Sequence, residues 1–312
     1  MQLRDAPFYH DVAEGPPARA WWLHAEDGVR IRMAYWPSTN ARGTVFLLPG
    51  RTEYIEKYGR SAADFAARGF AQVSIDWRGQ GLADRLLDDR RAGYVQDFPD
   101  FQLDLDAVLQ AAEQENLPKP YFIIGHSMGG SICLRALMEN KPFNAAVFSA
   151  PMFGIQLSAL MRPAAWAISW ASSRAGHGHR FAPGTGQETY VLDKPFEGNS
   201  LTTDPDMYRY MQAQMRGYPD LALGGPSLHW LHEALRECRT LDLRPSPDVP
   251  CITFLGEREQ IVATDAIAER MNRWPNGKLE MVPGGQHEVL MEIPELRNRI
   301  FDQCAALFAE NS

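Results

Sequence analysis

The sequence predicts an α/β fold: a mostly parallel central sheet flanked by helices, with a helical insertion. Three observations predict it. Short apolar runs alternate with amphipathic helical stretches through the first 150 residues, the alternation stops at Pro151, and it resumes at Cys251. Strands that alternate with helices read as β-α-β units, whose parallel strands are buried on both faces.

The elements follow in order. After a Pro-rich start, Trp21 to Ala25 and Val29 to Trp36 are apolar-rich segments separated by Glu26-Asp27-Gly28, the pattern of an antiparallel hairpin. Val45 to Leu48, Ala71 to Ile75, Tyr121 to Ile124 and Ala145 to Ser149 are of buried-strand type, with helical periodicity over Tyr58 to Arg68 and Phe101 to Glu115 between them. From Pro151 to about Leu243 the chain is rich in Met, Trp, Gly and Pro, with helical patterns near Ser158 to Ser172 and Pro205 to Arg216. A strand at Cys251 to Leu255, a helix at Thr264 to Arg273, a strand at Leu279 to Val282 and a helix at Pro294 to Ala309 complete the chain. The expected division is a core in two parts, 1–150 and 244–312, around a helical cap at 151–243. The cap is expected over the C-terminal edge of the sheet, where such folds bind ligands.

Composition narrows the function classes. Of 312 residues, 45% are hydrophobic and 22% charged, a balance typical of globular proteins that bury a large core. The formal charge of −8 and the scattered Lys and Arg leave no basic stripe for nucleic acid. Cys133, Cys238, Cys251 and Cys304 show neither a CxxC pair nor metal spacing and read as reduced thiols. Charged residues interrupt the N-terminal stretch, so no secretory signal is expected and the cytoplasm is the default compartment. No apolar run reaches the roughly 18 to 20 residues of a membrane span. Any membrane contact is expected to be peripheral, through the cap.

The segment YFIIGHSMGGSICLRAL carries the chemistry, because a buried-type strand ends in Gly125-His126-Ser127-Met128-Gly129 and runs straight into a helical pattern. In that context G-x-S-x-G is the nucleophile elbow of the α/β-hydrolase fold. Ser127 is the candidate nucleophile, held on a tight turn at a helix N-terminus whose dipole favours an oxyanion. A serine hydroxyl needs an imidazole to take its proton. His287, in the Gly-rich loop VPGGQHEVLMEIPE after the last strand, has the expected place in the chain order serine, acid, histidine. His126, His177, His179 and the remaining histidines lack it. The acid belongs after the penultimate strand, where Gly256-Glu257-Arg258-Glu259 offers two glutamates. Spacing favours Glu259 over Glu257, with Asp265 a further alternative. The loop after TVFLL, Pro49-Gly50-Arg51-Thr52, supplies the second half of an oxyanion hole, so the N–H groups of Arg51 and Met128 are the candidate donors.

The segments PGRTEYIEKYG, SIDWRGQGLADR, GHSMGG, FLGEREQIV and GGQHEVLMEIPE together resemble the monoglyceride lipase and lysophospholipase L2 branch of the α/β-hydrolases, of the serine aminopeptidase S33 type. The resemblance runs from about Trp21 to the C-terminus and is weakest over the insertion. It implies hydrolysis of a carboxylic ester in a single-acyl lipid, a triad of Ser127, Glu259 and His287, oxyanion donors at Arg51 and Met128, and no metal or organic cofactor. Relatives often carry His where this chain has Pro49, and Asp where it has Glu259.

The stretch Ile155 to Ala171 contains Leu157, Leu160, Met161, Trp166, Ile168 and Trp170, more apolar surface than one buried helical face needs, so it is expected either to grip lipid or to pack as cap on core. Arg174, His177, His179 and Arg180 form either a phosphate-binding cluster or a solvated loop. Two rival functions stand beside the ester hydrolase. A proline-type aminopeptidase would need cap carboxylates for a free amine, for which Glu188, Glu197, Asp204 and Asp206 are candidates. A non-catalytic binding protein would keep the fold without the reaction.

Overall fold

The computed structural model describes residues 3–158 and 160–312. Ala159, inside the helix expected over Ser158 to Ser172, and Met1 and Gln2 lie outside the described residues. The chain opens with β1 (Arg4–Asp5), α1 (His10–Ala13) and the hairpin β2 (Arg19–His24) and β3 (Arg30–Trp36). There follow β4 (Thr44–Leu48), α2 (Gly59–Ala67), β5 (Ala71–Asp76), α3 (Phe101–Gln114), β6 (Tyr121–His126), α4 (Met128–Met138) and β7 (Ala146–Ser149). Between β7 and the next strand come α5 (Met161–Arg174), α6 (Tyr190–Asp193), α7 (Pro205–Gly217) and α8 (Leu228–Asp242). The chain closes with β8 (Cys251–Gly256), α9 (Thr264–Asn272), β9 (Gly277–Val282) and α10 (Pro294–Glu310).

Among the described residues, nine strands form one sheet in the order β1-β2-β3-β5-β4-β6-β7-β8-β9. Pairing is antiparallel from β1 to β5 and parallel from β5 to β9. This is an α/β-hydrolase fold. Alternation along the central strands splits the core in two. Val45, Leu47, Phe122 and Ile124 pack beneath α2 and α10, around Phe65, Phe301 and Phe308. Phe46, Leu48 and Ile123 face α3 and α4, with Leu105 and Ile132.

Sheet order also decides where a site can form. From β4 the chain moves outward to β5 and then returns to place β6 on the other side of β4. The C-terminal ends of β4 and β6 therefore flank a topological switch point, where an open crevice is unavoidable. The loops that begin at Pro49 and Ser127 sit there.

Helices α5 to α8 fill the region read as an insertion. The helix α8 was not expected, although its signal is present: Ser227 Oγ accepts the Trp230 N–H at 3.1 Å, and Leu228, Ala234, Leu235, Cys238 and Leu241 recur on one buried face. Helix α7 is tied to the core beside β4. Tyr54 Oη donates to Gln214 Oε1 at 3.0 Å, and Tyr210 Oη and Gln214 Nε2 both donate to the Glu56 carbonyl at 3.0 Å.

Candidate active site

Ser127 links β6 to α4 with φ 50° and ψ −118°, a conformation that costs a residue with a Cβ on the order of 1–3 kcal/mol. Neighbouring backbone holds it there. Its N–H donates to the Ser149 carbonyl at 3.0 Å, and its own carbonyl accepts from the N–H groups of Gly130 and Met152 at 2.8 Å each. The flanking glycines are required by close approach: a Cβ on Gly125 would lie 2.7 Å from that of Cys133, and one on Gly129 would lie 2.2 Å from the Leu48 carbonyl oxygen. Helix α4 can thus start directly over the ends of β4 and β6, and Ser127 is left partly exposed on the cavity wall.

The loop after β4 is fixed peptide by peptide. Trp77 Nε1 donates to the Pro49 carbonyl at 3.0 Å, and Gln80 Nε2 donates to the Gly50 carbonyl at 2.8 Å. In a trans peptide the C=O and N–H point in opposite directions. Holding the Gly50 carbonyl toward Gln80 therefore aims the Arg51 N–H the other way. A Cβ on Gly50 would come within 3.1 Å of Ser127 Cβ, so this peptide runs alongside the serine. The Met128 N–H opens α4, where the first turn has no intrahelical acceptors. The Arg51 side chain turns to the cap, donating to the Gly224 carbonyl at 2.7 Å, with its guanidinium 5.6 Å from the Trp230 ring centre. Burial pushes its pKa down to about 10.

The structure brings Glu259, not Glu257, to His287. His287 Nδ1 lies 2.7 Å from Glu259 Oε2, and the Glu259 side chain is fully buried. The other carboxylate oxygen accepts the backbone N–H groups of Ile261 at 2.5 Å and Val262 at 3.1 Å. Burial works to raise the Glu259 pKa, but the bond and charge of His287 with those N–H groups bring it below the ordinary value. Glu257 is exposed and accepts the Gly284 N–H at 2.8 Å. Asp265 is exposed as well and accepts the N–H of Ala266. Because a carboxylate only accepts, the contact with Glu259 places a proton on His287 Nδ1 and leaves Nε2 free to act as a base.

Ser127 and His287 line the same cavity, of about 370 Å³, within the usual range for a small-molecule site. Its cap wall is built from Met211 and Met215 of α7, Trp230 and Leu231 of α8, and Val191 and Leu201. Among the described residues, the stretch expected to grip lipid contributes only Ile155. Trp166 instead stands edge-on against His232 of α8, with ring centres 5.8 Å apart, and Leu160, Met161, Ile168 and Trp170 are exposed. Arg174, His177, His179 and Arg180 are exposed and do not line the cavity. The acids considered for an aminopeptidase are also elsewhere. Glu188 and Glu197 are exposed, Asp204 caps α7, and Asp206 pairs with Arg60 at 2.6 Å.

Sequence reasoning missed a charged group on the core side of the cavity: Glu53, Lys57 and Glu288, with His126. The i, i+4 spacing of Glu53 and Lys57 and the adjacency of Glu288 to His287 were the available signals. The peptide lock at Gln80 had no comparable signal.

Fold and site together define a class. The chain is a carboxylic ester hydrolase of the α/β-hydrolase superfamily. Residues 39–294 match the serine aminopeptidase, S33 family, and the chain belongs to that family. It is 28% identical over 281 residues to "Lysophospholipase L2" of Escherichia coli strain K12, covering 87% of this chain and 82% of that one. It is 23% identical over 288 residues to "Monoglyceride lipase" of Saccharomyces cerevisiae, covering 88% of each chain. The crystal structure of a soluble variant of the yeast monoglyceride lipase superposes with a TM-score of 0.73 at 20% identity, over 98% of this chain and all of that one, and so shares the fold. Among the described residues no helix is long and apolar enough to cross a membrane, and the four cysteines are free and buried.

Proposed function

We propose that this enzyme cleaves the carboxylic ester of a single-acyl lipid, a monoacylglycerol or a lysophospholipid, through an acyl-enzyme on Ser127. The coarser statement, a lipid-ester hydrolase, follows from its relatives. The observation that carries the proposal is the 2.7 Å contact between His287 Nδ1 and Glu259 Oε2 in a largely apolar cavity that also exposes Ser127 at its strained turn.

In this reading His287 Nε2 takes the Ser127 proton as Oγ attacks the ester carbonyl. The N–H groups of Arg51 and Met128 bind the resulting oxyanion, and Glu259 stabilises the imidazolium. Collapse expels the alcohol, which receives its proton from His287, and water activated by the same imidazole releases the fatty acid. The 151–243 segment acts as a cap whose Met and Trp side chains receive the acyl chain. Peripheral contact with a membrane through the exposed apolar residues of α5 and a cytoplasmic location belong to the same reading.

Labelling with a fluorophosphonate, followed by hydrolysis assays on monoacylglycerol, lysophospholipid and proline anilide, tests the proposal. Labelling at Ser127 and turnover of a lipid ester are expected. Turnover of the anilide alone would favour an aminopeptidase, and an unlabelled folded protein would be a binding protein.

A further inference from the structure

Four ionisable side chains from three segments meet behind Ser127: Glu53 and Lys57 after β4, His126 at the end of β6, and Glu288 beside His287. Lys57 Nζ donates to Glu53 Oε1 and, at 2.5 Å, to Glu288 Oε1. The second oxygen of Glu288 lies 3.3 Å from His126 Nε2, and Glu53 Oε1 lies 3.5 Å from the same nitrogen. Glu53 Oε2 also accepts the Gly50 N–H and the Tyr58 hydroxyl. All four are at most 5% exposed.

Their partners determine their charges. His126 Nδ1 lies 3.0 Å from both the carbonyl oxygen and the hydroxyl of Ser149, and Nε2 faces two carboxylates, a setting that favours the imidazolium. With that ring protonated, two carboxylates, one ammonium and one imidazolium balance. Glu53, His126 and Glu288 converge as a cation site would, within 4.8 Å of one another, but the Lys57 ammonium already bonds both carboxylates.

We propose that Glu53, Lys57, His126 and Glu288 form a buried ionic clasp that fixes the oxyanion loop and the base loop relative to Ser127, with Lys57 and Glu288 as positioning residues. Glu53 reaches the oxyanion loop through the Gly50 N–H, His126 precedes Ser127, and Glu288 follows His287. The clasp thus ties three loops that no regular backbone pairing joins. On the far side, the cap holds the same base loop: the Glu288 N–H donates to the Leu201 carbonyl at 2.7 Å.

The inference rests on the proposed role of Ser127, so phosphonylation of wild-type Ser127 is the first control, and its absence would overturn that role and the clasp together. Lys57→Met and Glu288→Gln, each checked for folding by circular dichroism, are assayed on p-nitrophenyl butyrate. A displaced oxyanion donor predicts kcat lower by about 30-fold or more with KM within about threefold, since loss of one donor costs roughly 10²–10³. Binding of a trifluoromethyl ketone, whose hemiketal oxyanion needs the same donors, should weaken by the factor lost in kcat/KM. Lys57→Arg should recover part of that loss.

A folded variant with wild-type kcat, or a loss confined to KM, would overturn the clasp. The wild-type enzyme gives an independent reading even where the variants do not fold. The groups facing His126 are Glu53, Lys57, Glu288, His287 and Ser149, and ¹⁵N spectra should show its imidazolium persisting above the ordinary histidine value of 6.5. A neutral ring below that pH would also overturn it.

Discussion

The cavity has two unlike walls. The core wall, built by the loops after β4 and β6 and by the loop of His287, is held by directional bonds: a peptide lock at Gln80, the Glu259 contact and the four buried charges. The opposite wall, built by α7 and α8, offers Met211, Met215, Trp230 and Leu231. Hydrogen bonds and ion pairs fail over fractions of an ångström, whereas dispersion contacts adapt, and methionine adapts best. On the proposed function, the contrast gives chemistry to the first wall and acyl-chain selection to the second.

Replacing Ser127 with Ala should cost most, on the order of 10⁶ in kcat, and should abolish labelling by a fluorophosphonate. Residual turnover near wild type would remove the chemistry from the core wall altogether. Next, Glu259→Gln should lower kcat by about 10⁴ by upsetting the His287 tautomer, whereas exposed Glu257→Gln should stay within about twofold. The reverse ranking would shift the acid to the other glutamate.

A change on the cap wall should act differently. Met215→Phe narrows the cavity, so on the proposed function kcat/KM for long-chain relative to short-chain esters should fall by about tenfold, with short-chain kcat unchanged. An equal loss for all chain lengths would mean that this wall too serves the chemistry.

The smallest effect is on stability. Burial opposes the charge on His126, but Glu288 and Glu53 more than offset it and raise its pKa, so its contribution is complete below pH 6.5 and fades as pH rises through the folded value. Burial likewise opposes ionisation of Glu288, but His126 and Lys57 pull its pKa well below the ordinary value. Its contribution is complete above pH 4.5 and is lost as pH falls through the folded value. The melting advantage of wild type over Glu288→Gln should therefore peak between pH 4.5 and 6.5, by a few degrees at about 2–4 °C per kcal/mol. An advantage independent of pH would separate the clasp from its charges.

The parts of the site that the sequence made legible are those with a local signature. The elbow needs Gly125 and Gly129 because α4 grazes β4, and that need is written as a spacing. His287 and Glu259 were readable because chain order fixes which strand ends they follow. Helix α8 was missed despite its Ser227 cap, and the apolar stretch at α5 drew attention to residues that face outward.

Local chemistry thus determined the strands, the turn at Ser127 and the candidacy of His287 as its base, because each depends on residues near in sequence or on their order. The choice between Glu257 and Glu259 as neighbour of His287, the aim of the Arg51 N–H, the cap helices that line the cavity and the meeting of Lys57 with Glu288 were decided only by tertiary structure. These depend on separations as large as 231 residues along the chain, and no periodicity or spacing records the direction in which a distant side chain arrives.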